Sequence, residues 1–163
     1  MKKLEANITA VVAAYRAGKS ADKELLENLF GKKVFDAKIT DLVKSYEDAC
    51  DLLGIDPIGS LPDVSRCMSQ DRKSLIAFHK LTIITRALNE GWEPDWTNPN
   101  ESKWFNWWHV NTETAGLGFA YSNDAPSTTD ALVGSRLCFR TEALADYAAE
   151  QFMPLYEEYL LIK

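Results

Sequence analysis

Two histidines, three cysteines and twenty-four carboxylates are the groups in this 163-residue chain that could do acid–base, nucleophilic or metal chemistry. His79 stands between apolar neighbours in a helical pattern and reads as a structural polar group. His109 follows Trp108 and could bind or respond to pH, because histidine titrates near neutrality. The plainer reading is an ordinary strand histidine. Cys50 and Cys138 sit in apolar patterns and read as small packed hydrophobes. A zinc site needs clustered ligands, and Cys50, Cys67, His79, His109 and Cys138 have no such spacing. No serine–histidine–aspartate arrangement and no activating context for a cysteine can be specified. Asp95, held between Pro94 and Trp96, is expected to bond nearby amides rather than act as an acid or base. Gly116 and Gly118 form a GxG, but no third glycine and no helix follow, so a phosphate loop is not supported. The reading is therefore of no catalytic residue, no metal ligand and no cofactor. An enzyme stays open only as a dispersed site.

Aromatic chemistry is the exception. All five tryptophans, Trp92, Trp96, Trp104, Trp107 and Trp108, fall in one short stretch. A strand alternates its faces, so Trp104 and Trp108 point one way and Trp107 the other. One set can pack beneath a helix while the rest cover loops. Alternatively, an exposed set forms a stacking platform for bases, sugars or a partner protein. The proposed binding surface comprises Trp96, Trp104, Trp107, Trp108 and His109, with Arg136 as a polar anchor. Lys103, Arg136 and Arg140 are the cations near this stretch in sequence.

The elements that must position these groups follow from periodicity. Residues 4–17 carry Ile8, Val11, Val12 and Tyr15 at helical spacing, with Gly18 as a stop. Ser20 can cap a second helix with the stripe Leu25, Leu26, Leu29 and Phe30, closed by Gly31. Ser45 and Asp48 resemble a capping box ahead of Tyr46–Leu53, which stops at Gly54. The strongest helix runs from about Asp71 to Glu90, with Ala77, Leu81, Ile84 and Leu88 on one face. Ile76, Ile83 and Ala87 widen that face, so packing on more than one side is expected. After Gly91 the segment Trp92–Asn100 is turn-rich. Strands are expected at Lys103–Val110, at Gly116–Ser122 and at Ser135–Phe139. In the second, Leu117, Phe119 and Tyr121 are expected on one side. Thr141 can cap a final helix with the stripe Leu144, Tyr147, Ala148 and Phe152, which Pro154 should kink or interrupt, and Leu155, Tyr159 and Ile162 extend the apolar side beyond that point.

The expected fold is α+β: N-terminal helices, then a small three-stranded antiparallel sheet covered by a C-terminal helix. Length fits one domain, residues 1–163, with a helical half (1–91) and a Trp-rich β-β-β-α half (92–163). The hydrophobic fraction of 46% and charged fraction of 26% are those of a globular protein. A formal net charge of −6 disfavours non-specific nucleic-acid binding, since phosphate is repelled. The odd, widely spaced cysteines fit a reducing, cytoplasmic compartment. Leu75–Leu88, the longest apolar-rich stretch, is too short and polar to span a bilayer, so no membrane partner is expected.

Three stretches resemble a set of small proteins encoded by Bacteroides genomes, their phages and mobile elements. They are Ser45–Gly54 (SYEDACDLLG), Ala87–Trp96 (ALNEGWEPDW) and Val133–Ala148 (VGSRLCFRTEALADYA). The aromatic run Lys103–Trp107 and the segment Leu25–Gly31 are similar too. The resemblance extends over most of residues 20–160. It implies a cytoplasmic or virion-associated phage-type protein and carries no assigned activity.

Three functions are weighed. The first is a non-enzymatic protein-interaction or accessory protein, including self-association. The second is a single-stranded nucleic-acid binder using the Trp-rich sheet. The third is a small-molecule or carbohydrate binder, which needs a pocket with convergent polar groups. The polar loop Asn123–Asp130 is a second candidate contact.

Overall fold

The structure, a computed structural model, describes residues 6–111, 116–126 and 134–162. Seven α-helices and one β-hairpin are present among these residues: α1 (Ile8–Ala17), α2 (Ser20–Phe30), α3 (Ile39–Leu42), α4 (Tyr46–Leu53), α5 (Arg72–Leu88), β1 (Trp104–Val110), β2 (Leu117–Asp124), α6 (Glu142–Gln151) and α7 (Met153–Leu160). Short 3-10 turns occupy Lys32–Asp36 and Gly134–Arg136.

The expected caps form. Ser45 Oγ accepts from Asp48 N–H while the Asp48 carboxylate accepts from Ser45 N–H, which closes the capping box of α4. Thr141 Oγ1 accepts from Leu144 N–H at the start of α6. The cap of α2 lies one residue earlier than the sequence suggests: Asp22 accepts from Lys19 N–H, and Ser20 is already helical. Pro154 separates α6 from α7, with Phe152 as the break. A proline near a helix start loses no hydrogen bond, so the chain ends one helix and begins another.

Helix α5 is central. Ala77, Leu81, Ile84 and Leu88 are all buried, and so are Ile83 and Ala87. It packs on α4 on one side and α7 on another. One continuous core joins Val12, Val43 and Cys50 of the N-terminal region to Phe139, Leu144 and Tyr156 of the C-terminal region.

The sheet departs from expectation. It has two strands rather than three. Of Ser135–Phe139, only Phe139 pairs, through a single bridge to Trp104 (N–H to carbonyl distances of 3.0 and 2.8 Å). Gly134 stands at φ 50°, and residues 134–136 form a 3-10 turn rather than extended chain. Leu137, Cys138 and Phe139 enter the core together. There the Asn89 side chain clamps them, its Nδ2 donating to the Cys138 carbonyl and its Oδ1 accepting from Arg140 N–H. These bonds satisfy the edge of the segment that faces away from β1, and the 3-10 turn Gly134–Arg136 leaves Phe139 as the only residue of 135–139 paired to β1.

A register break between Trp107 and Trp108 corrects the second expectation. Trp107 opposes Tyr121 and Trp108 opposes Phe119, so Ala120 has no partner. One extra residue on β2 rotates the strand and sends Phe119 and Tyr121 to opposite faces.

Candidate functional site

The expected alternation of the tryptophans holds on β1. Trp108 lies against Tyr156 of α7, with ring centroids 4.6 Å apart, and meets Phe119 edge-on. Trp107 points to the other face, stacks on Tyr121 at 6.1 Å and is 43% exposed. Trp104 packs against the core.

Beside β1 runs an apolar groove of about 330 Å³. Phe105, Asn106, Trp107, Trp108 and Val110 all line it. A cavity on one face of a strand would meet only alternate residues, so this groove follows the strand's edge. Leu117 of β2, Leu137, and Tyr156, Tyr159, Leu160 and Leu161 at the C-terminal end line the rest of it.

Among the described residues, the outer edge of β1 pairs with nothing beyond the bridge at Trp104. Ala125 N–H donates to the Lys103 carbonyl and Asn111 N–H donates to the Gly116 carbonyl, so the odd-numbered residues of β1 face β2. The N–H and C=O of Trp104 face the opposite way, to Phe139. Alternation then turns the backbone groups of Asn106, Trp108 and Val110 outward, toward the groove. No hydrogen bond reaches them there among the described residues. The side chain of Asn106 is occupied separately, donating to the Ala145 carbonyl and Ser122 Oγ. The hydroxyl of Tyr156 is buried with no hydrogen-bond partner among the described residues, and burial raises its pKa.

The sequence-selected residues divide among three places. Trp107 and Trp108 meet at the groove, and His109 is exposed next to them. Trp96 lies away from the groove, its Nε1 donating to Ser135 Oγ at 2.7 Å. Arg136 lines a separate polar cleft with Ser135 and Arg86. The loop Asn123–Asp130 begins inside β2, and residues 127–130 lie outside the described residues. Sequence reasoning missed Tyr156, Leu160 and Leu161. The only signal for them was the apolar side of the last helix, continued by Leu155 and Tyr159.

Lys103 is not a surface cation. Its side chain is 1% exposed, and its Nζ lies within hydrogen-bonding distance of the carbonyls of Asp95, Asn98, Glu101 and Pro126. The Trp96 ring and the Glu101 carboxylate complete its surroundings. Arg140 is also engaged, in an ion pair with Glu90. Asp95 accepts from the hydroxyl and amide of Thr97, which hold its carboxyl below the usual range. This is the local bonding expected of it.

Among the described residues no group of three or more His, Cys, Asp or Glu could hold a metal ion. No helix there is long and apolar enough to cross a membrane. No protein-family model, curated protein or solved structure matches this chain.

Proposed function

We propose that this chain is a non-enzymatic protein-interaction module that receives an extended segment of its partner along the outer edge of β1. The observation carrying this reading is the row of outward backbone groups at Asn106, Trp108 and Val110, set over an apolar groove. Added strands gain main-chain hydrogen bonds from such an edge, and pockets beside it select alternate side chains. An open edge left over apolar surface otherwise invites unwanted pairing. The partner segment is apolar at alternate positions, to match Trp108 and Tyr156. Self-association through the same edge is one form of this function. The resemblance to phage and mobile-element proteins supports an accessory role.

Val110→Pro tests it. Proline removes an outward N–H and leaves the ladder to β2 intact, which an edge strand tolerates. Peptides selected from a display library against the wild-type chain should lose binding to Val110→Pro and keep it with Val110→Thr. If the chain self-associates, its dimer mass should fall to that of a monomer in the same variant. Selected peptides or a dimer indifferent to Val110→Pro would overturn the reading.

A second reading has its own observation. The groove is walled by apolar side chains, Trp108, Leu137 and Leu160 among them, which suits a small apolar ligand. Binding of that kind would weaken in Leu160→Ala and ignore Val110→Pro. Nucleic-acid binding loses support, because Lys103 is sequestered and Arg140 is paired.

A further inference from the structure

A second cavity, of about 500 Å³, opens between the last turn of α5 and the 3-10 turn Gly134–Arg136. Its walls carry an excess of hydrogen-bond donors. Arg86 comes from α5 and Arg136 from the 3-10 turn, and neither forms an ion pair among the described residues. Glu93 lines the same cleft and pairs with neither. By contrast, Arg16 and Arg140 both reach Glu90.

The Ser135 hydroxyl adds to the excess. Ser135 Oγ accepts from Trp96 Nε1, which leaves its own proton to donate. Thr85 Oγ1, by contrast, is buried and closed to a ligand. The other polar groups of the cleft are spent within the fold. Asn89 holds Cys138 and Arg140, Thr82 Oγ1 donates to the His79 carbonyl, and Trp92 Nε1 donates to Glu101. A cation in the last turn of a helix also answers the helix dipole, which gives Arg86 an ordinary reason to be there. Arg136, on a three-residue 3-10 turn, has no such reason.

We propose that this cleft binds a small organic oxyanion, a carboxylate or a phosphate monoester, through Arg86, Arg136 and the hydroxyl of Ser135. Such a ligand is rich in acceptors where the cleft is rich in donors, and guanidinium groups match its paired oxygens. The chain's net charge of −6 makes local convergence of donors necessary for any anion to bind.

The full-length chain is titrated with inorganic phosphate, phenyl phosphate and benzoate while backbone amide resonances are followed. Saturable shifts should appear at Thr85, Arg86, Ser135 and Arg136, with a Kd on the order of 1 mM or tighter for at least one probe. Phenyl phosphate outcompeting benzoate identifies a phosphate ligand, and the reverse a carboxylate. Arg86→Gln and Arg136→Gln should each weaken binding about tenfold. Both side chains are exposed, so the variants should melt with the wild type. No saturable shift with any probe, shifts confined to other surfaces, or unchanged affinity in both arginine variants would overturn the proposal.

Discussion

The ammonium of Lys103 lies 2.6 Å from the carbonyl oxygen of Asp95, within the loop that joins α5 to the hairpin. Three further carbonyls, of Asn98, Glu101 and Pro126, lie 2.8–3.1 Å from the same nitrogen. An ammonium has three protons, so it serves at most three of these at once. The charge is held chiefly by backbone dipoles. Lys103 therefore organises the turn-rich segment around itself and fixes where β1 begins.

Replacing that group should be costly. Lys103→Met keeps the apolar stem but leaves several inward carbonyls without a donor. It should destabilise the fold by at least about 3 kcal/mol. Urea unfolding of the two proteins would measure this, and a loss under about 1 kcal/mol would show that the carbonyls find other donors.

Asn89 makes a comparable link between α5 and the segment that follows the second 3-10 turn. Its amide both donates to Cys138 and accepts from Arg140. Asn89→Ala should cost about 2 kcal/mol or more, since both backbone groups become unsatisfied in a buried site. Chemical unfolding would check it, with Asn89→Asp as a partial rescue of the Arg140 bond.

The three thiols should differ in reactivity. Cys50 and Cys138 are buried, and burial pushes the Cys138 thiol up to about 11. Burial raises Cys50 as well. Cys67 is half-buried. Native protein at neutral pH should therefore label with a thiol reagent first at Cys67, and the other two should react only after unfolding. Mass spectrometry of labelled peptides would decide this.

His79 predicts a pH dependence. Burial, and secondarily the charge of Arg86, hold its folded-state pKa below the ordinary 6.5, and its Nε2 is buried with no partner among the described residues. The unfolded chain then binds the proton more readily than the folded one. The contribution is full above about 6.5 and declines as pH falls toward the folded-state value. Subtracting the stability curve of His79→Leu from that of wild type should isolate this decline, and parallel curves would rule it out.

Amide exchange should report the edge directly. The amides of Phe105, Trp107 and His109 face β2 and should be protected. Those of Asn106, Trp108 and Val110 should exchange faster, giving an alternating pattern along β1. A uniformly protected strand would mean that the outer edge is already occupied.

Much of the local structure was legible from residue types alone. The Ser45–Asp48 box, the Thr141 cap, the break at Pro154 and the buried face of α5 each depend on neighbours within a turn or two. The opposite faces of Trp107 and Trp108 follow from strand pleat. Pairing is another matter. A third strand at Ser135–Phe139 was a fair reading of an apolar run, yet only Phe139 meets Trp104, because Gly134–Arg136 winds into a 3-10 turn instead of extending. The bulge at Ala120 reversed Tyr121 against Phe119 without any proline or glycine at that position to announce it.

The sequence by itself determined which residues are apolar, where helices begin and end, and that the tryptophans would not share one face. Only the tertiary structure decided that Lys103 is an interior group, that the outer backbone groups of Asn106, Trp108 and Val110 lie unpaired among the described residues, and that Arg136 lines a cleft with Arg86 rather than the groove beside Trp107 and Trp108. The physical reason is that caps and periodicity are set by contacts a few residues apart. Edge exposure and convergent donors depend on which distant segments arrive, and no local pattern encodes that.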